Sequence, residues 1–331
     1  MQTVTARAHT NIALVKYWGK KNQELILPYT NSLSLTLDVF YTDTSVQFDP
    51  LLETDQFLLN GENVTGKSLI KVQRFMDLIR SEANIAMPAR IESTNHVPTA
   101  AGLASSASAF AALAAAGSRA AGLDLSLRDL SRLARRGSGS ATRSIYGGFV
   151  EWERGDSDAT SYAVPIQEQV DWDIQMIAIL LNRHEKKVSS RSEMANDVAT
   201  SPYYPAWIEN AQTEVDTIKQ AIAARDLNQV GQIAEQSAMR MHALTMSAVP
   251  PFTYFEPSTL QAIAKVQELR AQGLSCYYTM DAGPNVKVIC SARETPQILA
   301  GLSTIFPKEQ LTVAKPGPGI QYLPPQQRSD L

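Results

Sequence analysis

The sequence predicts an α+β protein of two domains, and three observations carry that expectation. The chain has 331 residues, more than one small core ordinarily fills. Its opening region alternates apolar and polar residues in strand fashion and then gives way to helical spacing. From Ile174 onward the elements run strand, helix, strand, strand, helix, strand, the split βαβ pattern with extra helices inserted.

In chain order, strands are expected around Val4, Ala6 and Ala8, then Leu33, Leu35 and Leu37, then Val46 and Phe48. Asn60-Gly61 between apolar flanks marks a hairpin. Leu69, Val72, Phe75, Met76 and Ile79 give residues 68–83 a helical period, and residues 89–96 return to alternation. An Ala-rich helix opens at Gly102 and closes at Gly122. Ser126 can cap a further helix through Arg135, which the small-residue stretch 137–140 breaks. Two strands follow, near residues 148–153 and 161–165. The continuous apolar run 174–181 reads as a strand buried on both faces. A polar loop over 182–194 leads to helices near 205–225, 227–245 and 258–273, then a strand (276–280), a turn (281–285), a strand (286–291), a helix (294–306) and a strand (310–314). The domains are expected to join between residues 165 and 185, giving units of 1–172 and 173–331.

The formal charge is −3 and the pI about 5.9, so no global positive field draws the protein to nucleic acid or anionic lipid. An anionic substrate has to be held by a local cluster of bases. The apolar-rich runs at 107–117 and 174–181 fall short of the roughly 20 residues that cross a bilayer, and residues 1–20 lack the layout of a secretory signal. The only two cysteines, Cys276 and Cys290, make no framework and no CxxC pair, which fits buried thiols in a reducing cytoplasm. The four histidines (His9, His96, His184, His242) show no metal-ligand spacing.

Three stretches carry chemistry. Pro98-Thr-Ala-Ala-Gly-Leu-Ala-Ser-Ser-Ala-Ser-Ala109 lies between a strand and a helix. Small residues there let a phosphate approach the backbone, and the first amides and the helix dipole favour an anion. Ser105, Ser106 and Ser108 can donate to phosphate oxygens or help hold a metal. No Gly-Lys-Ser/Thr follows, so this is no Walker A loop; the alternative is a tightly packed Ala-rich helix with hydroxyl caps. In Asn11-Ile-Ala-Leu-Val-Lys-Tyr-Trp-Gly-Lys20, two lysines flank two aromatics after a buried strand. They form either an anion pocket or, as lysines usually do, a solvated surface. Gly137-Ser-Gly-Ser-Ala-Thr-Arg143 is a hydroxyl-rich turn ending in a guanidinium suited to a carboxylate or phosphate, or a plain interhelix loop. Lys186-Lys-Val-Ser-Ser-Arg191 repeats that mixture. Asp281, in Thr279-Met-Asp-Ala-Gly-Pro-Asn-Val286, stands at a strand end, where an aspartate ordinarily just forms the turn.

Taken together, these stretches resemble one family. Residues 98–106 are similar to the phosphate loop of the GHMP kinase superfamily, roughly Pro-x-x-x-Gly-Leu-x-Ser-Ser. Residues 11–20, followed by Leu27-Pro and Asn31-Ser-Leu-Ser-Leu-Thr36, resemble diphosphomevalonate decarboxylases in particular, as do residues 138–143 and 280–285. The likeness runs from about residue 3 to residue 315. Kinases of the superfamily usually carry a glycine-rich loop where this chain has Asp281-Ala-Gly-Pro, and eukaryotic decarboxylases tend to have a small hydroxyl residue where this chain has Arg191.

The resemblance implies a two-domain GHMP kinase-like fold: an N-terminal domain like ribosomal protein S5 domain 2 and a ferredoxin-like split βαβ C-terminal domain. It implies ATP, Mg²⁺, a cytoplasmic homodimer, and conversion of (R)-5-diphosphomevalonate to isopentenyl diphosphate in the mevalonate route. By resemblance, Asp281 orients the substrate hydroxyl or takes its proton, Lys16 sits beside it, and Arg143 holds the substrate carboxylate. Ser138, Gly139, Ser140, Ala141 and Thr142 complete that turn. Tyr17, Trp18, Gly19, Lys20, Ser190 and Arg191 line the diphosphate end. Ala101, Gly102, Leu103, Ala104, Ser105, Ser106 and Ser108 cradle ATP, with Ser106 toward the metal and Lys71 as a further nucleotide contact. The rival readings are a kinase that stops at phosphorylation, a decarboxylase of the monophosphate, and a non-catalytic nucleotide-binding protein.

Overall fold

A computed structural model describes residues 2–96, 105–181 and 190–324. The elements are β1 (Val4–Val15), β2 (Lys20–Asn22), β3 (Leu27–Pro28), β4 (Ser32–Phe48), β5 (Gln56–Leu59), β6 (Glu62–Asn63), α1 (Gly66–Ala83), β7 (Ala89–Asn95), α2 (Ser105–Ala120), α3 (Leu127–Gly137), a 3₁₀ turn (Gly139–Ile145), β8 (Phe149–Glu153) and β9 (Tyr162–Gln167). There follow β10 (Gln175–Ile179), α4 (Ser190–Thr200), α5 (Tyr204–Ala223), α6 (Leu227–Ser247), α7 (Pro257–Ala271), β11 (Cys276–Met280), β12 (Val286–Cys290), α8 (Thr295–Leu302), β13 (Leu311–Ala314) and β14 (Gln321–Leu323).

The first sheet has eight strands in the order β14-β1-β4-β7-β5-β6, with β8 and β9 added beside β4. The long β4 makes this possible: Ser32–Leu35 pairs with β8, and Thr42–Phe48 with β7. The β5–β6 hairpin turns on Asn60 and Gly61 at φ 51° and 83°, the two positive values its tight turn requires. One face is covered by α1, α2 and α3. Helix α1 lays Val72, Phe75, Met76 and Ile79 into that core, and Ser126 caps α3 by accepting from the Asp129 amide. Helix α2 is buried along most of its length because its alanines let it lie close against the sheet.

The second sheet is antiparallel, β11-β12-β10-β13, the strand order of a split βαβ unit. One face packs on α7 and α8 through Ile177, Ile179, Val286, Val288 and Cys290. The other packs Met176, Ala178 and Ile289 against α5, α6 and the second face of the first sheet, including Ile12, Leu14, Leu33 and Leu35. This shared core fixes the second sheet beside the end of β1. Burying each such aliphatic side chain is worth roughly 1.5–3 kcal/mol.

Three features depart from expectation. Residues 190–200 form helix α4 instead of continuing the polar loop; Asp197 is its only buried residue, so no apolar period announced it. The segment after β13 returns to the first sheet, where β14 pairs antiparallel with β1. The last helix is shorter than 294–306, ending at Leu302. No helix among the described residues is long and apolar enough to cross a membrane.

Candidate active site

Lys16 follows a register shift between Ala13 and Val15 at the end of β1, and a bulge of that kind re-aims the side chain beyond it. The ammonium is 1% exposed and donates to the Ala13 carbonyl at 2.7 Å and to Asp281 Oδ1 at 2.8 Å. Its own amide donates to Ser237 Oγ on α6 at 3.1 Å. Asp281 ends β11 in a turn that Asn285 and Thr259 hold. Asn285 Oδ1 accepts from the Leu181 amide at 2.6 Å, and Thr259 donates to the Pro284 carbonyl at 2.8 Å.

The second oxygen of Asp281 lies 3.1 Å from Lys287 Nζ, on the central strand β12 and 1% exposed. Burial alone would raise the Asp281 carboxyl, but the Lys16 and Lys287 charges and their hydrogen bonds override it and hold the group well below the usual carboxylate range. Lys16 moves the other way. Burial lowers it to about 8, Asp281 opposing and Lys287 and Arg143 assisting. His242 on α6 is fully buried, with neither ring nitrogen partnered among the described residues. Burial, with Lys16 adding, pushes it down to about 3, so it stays neutral.

Arg143, 2% exposed, closes the cluster from the 3₁₀ turn. It donates from Nη1 to Ser32 Oγ at 2.6 Å and from Nε to Asn11 Oδ1 at 3.2 Å. Asn11 in turn donates to the Ser140 carbonyl at 3.0 Å and Ser144 Oγ at 2.8 Å. Ser140 and Ser138 hydroxyls lie 3.4 Å apart, and Ser138 reaches Ser106 Oγ, in the first turn of α2, at 3.3 Å. An unbroken path of polar contacts therefore joins the start of the Ala-rich helix to the residues around Asp281. Ala141 and Thr142 are buried within the turn. Gly139 is required there, since a Cβ would lie 2.9 Å from both the Tyr17 and Trp152 rings.

Tyr17 packs its ring on Trp152 at 4.7 Å with its hydroxyl buried. Lys20 lies nearby on β2, lowered to about 8 by burial and by Arg191. Lys71 on α1 is lowered to about 8 by burial, Arg191 and Lys20, and sits 4.3 Å over the Phe110 ring. Mutual repulsion ties these three cations together. Ser190 opens α4, and Arg191 borders a cleft of about 640 Å³ that Lys67, Lys71, Arg74 and Arg136 also line, with Glu24 its acidic side chain. The Nε of Arg136 is buried with no partner among the described residues. Gly137 also lines this cationic cleft, and its neighbour Ser138 reaches Ser106 Oγ, an arrangement that fits a polyphosphate. No cluster of three metal-ligating side chains occurs among the described residues.

Two of the expected site residues are buried in this structure. Ser108 is fully buried, hydrogen-bonded with Thr42 Oγ1 at 2.8 Å and to the Ser105 carbonyl; it lies on the sheet-facing side of α2. The Trp18 indole is also core, packed with Tyr204, Trp207 and Met241, because its N–H finds a buried acceptor in Asp197 Oδ2 at 2.7 Å. Gly19 keeps its φ of +102° beneath the Tyr204 hydroxyl, which a Cβ would meet at 1.8 Å. Ala101, Gly102, Leu103 and Ala104 lie outside the described residues. Sequence reasoning missed Asn11, Ser32 and Lys287 as members of the cluster; the signal for Lys287 was a single lysine inside the apolar strand Val286–Cys290.

Burial pushes the Asp197 carboxyl up to about 6, Glu193 adding and the Trp18 hydrogen bond opposing. A folded-state value above the unfolded one makes protonation stabilising, so this contribution is present at low pH and lost as pH rises through about 6. Asp197→Asn keeps an acceptor for Trp18. It is expected to raise Tm at about pH 7.5 and leave it nearly unchanged at about pH 3, below the ordinary carboxylate value of 3.8. Equal shifts in thermal melts at both pH values would show that the carboxyl does not titrate between them.

The fold is GHMP kinase-like, with two α+β units joined across a shared core. Residues 8–163 match the diphosphomevalonate decarboxylase-like N-terminal domain, and residues 176–326 the mevalonate 5-diphosphate decarboxylase C-terminal domain. The solved structure of MDDEF in complex with MVAPP, AMPPCP and magnesium is 51% identical, with a TM-score of 0.93 over 97% of this chain and 98% of that one. Mevalonate diphosphate decarboxylase from Staphylococcus aureus is 49% identical, with a TM-score of 0.94 over 98% of each chain. Diphosphomevalonate decarboxylase of Ganoderma lucidum is 36% identical over 92% of this chain and 82% of its own length. The chain belongs to the diphosphomevalonate decarboxylase family.

Proposed function

We propose that the protein uses ATP and Mg²⁺ to convert (R)-5-diphosphomevalonate to isopentenyl diphosphate, releasing ADP, phosphate and carbon dioxide after phosphorylation of the 3-hydroxyl. The observation that carries this reading is one partly exposed carboxylate, Asp281 at 22%, set among the buried cations Lys16, Lys287 and Arg143. Kinase chemistry alone needs a base and a phosphate cradle. A decarboxylase also has to hold a carboxylate, and Arg143 supplies a buried guanidinium for it.

ATP supplies the phosphoryl group that turns a tertiary hydroxyl into a leaving group, and Mg²⁺ offsets its charge. Ser105, Ser106, Lys71 and the cleft residues Lys67, Arg74 and Arg136 would hold them. Lys20, Tyr17, Ser190 and Arg191 take the substrate diphosphate, and Arg143 with Ser138 and Ser140 takes the carboxylate. Asp281 accepts the hydrogen bond of the substrate hydroxyl, which orients its oxygen for attack. A carboxylate held so far below neutrality is a weak base in the ground state. Its larger effect is therefore electrostatic, opposing positive charge that develops on the neighbouring carbon as the oxygen departs.

The division into residues 1–172 and 173–331 follows the two sheets, with β14 crossing back to the first. A cytoplasmic homodimer rests on the family resemblance.

Incubation with ATP, Mg²⁺ and 5-diphosphomevalonate is expected to release carbon dioxide and isopentenyl diphosphate in step with ADP. ADP without carbon dioxide would support the kinase reading. The monophosphate is expected to have a kcat/KM at least about 10-fold lower, because one charge-assisted hydrogen bond contributes roughly 1.5–3 kcal/mol. An equal or higher value would assign the monophosphate as substrate.

A further inference from the structure

Lys287 occupies a place where a lysine is costly. It stands on the central strand of the second sheet, between Thr279 on β11 and Ala178 on β10. Its neighbours in sequence, Val286 and Val288, point to the opposite face, into the α7–α8 core. The lysine is thereby turned toward the end of β1 and α6, 1% exposed. Burying an ammonium in such surroundings carries a penalty of several kcal/mol unless it is paired. Its partners include Asp281 Oδ2 at 3.1 Å and the Asn285 carbonyl at 3.4 Å.

Lys16 reaches Asp281 Oδ1 from the first domain and Lys287 reaches Oδ2 from the second. The carboxylate is thus bracketed with one ammonium on each oxygen, which restricts its rotation about the Cβ–Cγ bond. Among the described residues, the other charged or titratable groups facing it are Arg143 on the 3₁₀ turn and neutral His242 on α6. We propose that Lys287 is a positioning residue of the decarboxylation reaction: it fixes the Asp281 carboxylate from the side opposite Lys16, so that its remaining lone pairs meet the substrate hydroxyl in one orientation.

The inference rests on the reading of the site proposed above and acts wholly through Asp281, which sets the test. Lys287→Met removes the charge while keeping an unbranched chain of similar length. It is expected to lower kcat about 10-fold or more with KM within about threefold. In an Asp281→Asn background the same substitution is expected to cost nothing further, because the residue through which it acts is gone. Multiplying losses in the double mutant would overturn the proposal, as would a wild-type kcat for Lys287→Met. Should Lys287→Met fail to fold, Lys287→Gln carries the same cycle.

A second readout needs no turnover. In the ligand-free protein, loss of the Lys287 charge is expected to move the NMR titration of Lys16, now lowered to about 8, upward. An unmoved Lys16 would show that the two ammonium groups do not share Asp281. If the wild-type protein releases no carbon dioxide, the functional reading fails, and this titration still decides whether Lys287 belongs to the cluster.

Discussion

Asp281→Ala is expected to lower kcat by at least about 10²-fold with little change in KM, the lower end of what a positioned acid–base group contributes. The expected split between kcat and KM follows from where the side chain stands. It presents one partly exposed carboxylate at the meeting of the two domains, while the groups assigned to the substrate's charged ends lie elsewhere, on β2, α4 and the 3₁₀ turn. Removing it therefore leaves binding largely in place and takes away an interaction made in the transition state. The corresponding barrier is roughly 3 kcal/mol or more.

The same substitution leaves Lys16 and Lys287, each 1% exposed, without their shared anion. Breaking a buried ion pair typically costs about 3–5 kcal/mol, so a lower Tm is expected alongside the loss of turnover. Asp281→Asn keeps the shape and one acceptor; its kcat should fall comparably with a smaller change in Tm. A near-wild-type kcat in either variant, measured well below Tm, would remove Asp281 from the mechanism.

The parts of this site that were legible in the sequence share a physical origin. Residues 11–20, residues 137–143 and Asp281 all sit where a regular element ends, and end signals such as Gly137 and Ala282-Gly283-Pro284 are local. What local pattern does not encode is depth. Ser106 and Ser108 are two residues apart on α2, yet one is exposed toward Ser138 and the other is sealed against Thr42. Trp18 and Lys20 look equivalent around Gly19, but the indole turns into the core toward Asp197. Lys287 was missed for a different reason. A single lysine in a strand ordinarily reads as a solvated edge, and only the pairing of β12 between β11 and β10 shows that it has no route to water. Helix α4 and strand β14 escaped because neither buries an apolar stripe of its own.

Arg143→Gln is expected to reduce kcat/KM by at least about 10²-fold, and it should act on both parameters where Asp281→Ala acts on one. Among the described residues the guanidinium bonds from Nε to Asn11 and from Nη1 to Ser32, which leaves Nη2 and the second Nη1 hydrogen for an incoming anion. Burial lowers the group, with Asp281 opposing, only to about 10, so it remains a cation at any working pH. Charge-assisted hydrogen bonds contribute roughly 1.5–3 kcal/mol each, and a carboxylate held by two of them meets the expected loss. Glutamine keeps a donor but neither the charge nor the forked geometry, so a carboxylate entering the site would be desolvated without compensation. Because Arg143 also touches Asn11, whose amide holds the Ser140 carbonyl and the Ser144 hydroxyl, the substitution loosens the turn that reaches Ser106. Turnover should suffer along with binding for that reason. An unaffected kcat/KM would show that the carboxylate is bound by some other group, and would take from Arg143 the feature that separates this site from that of a kinase.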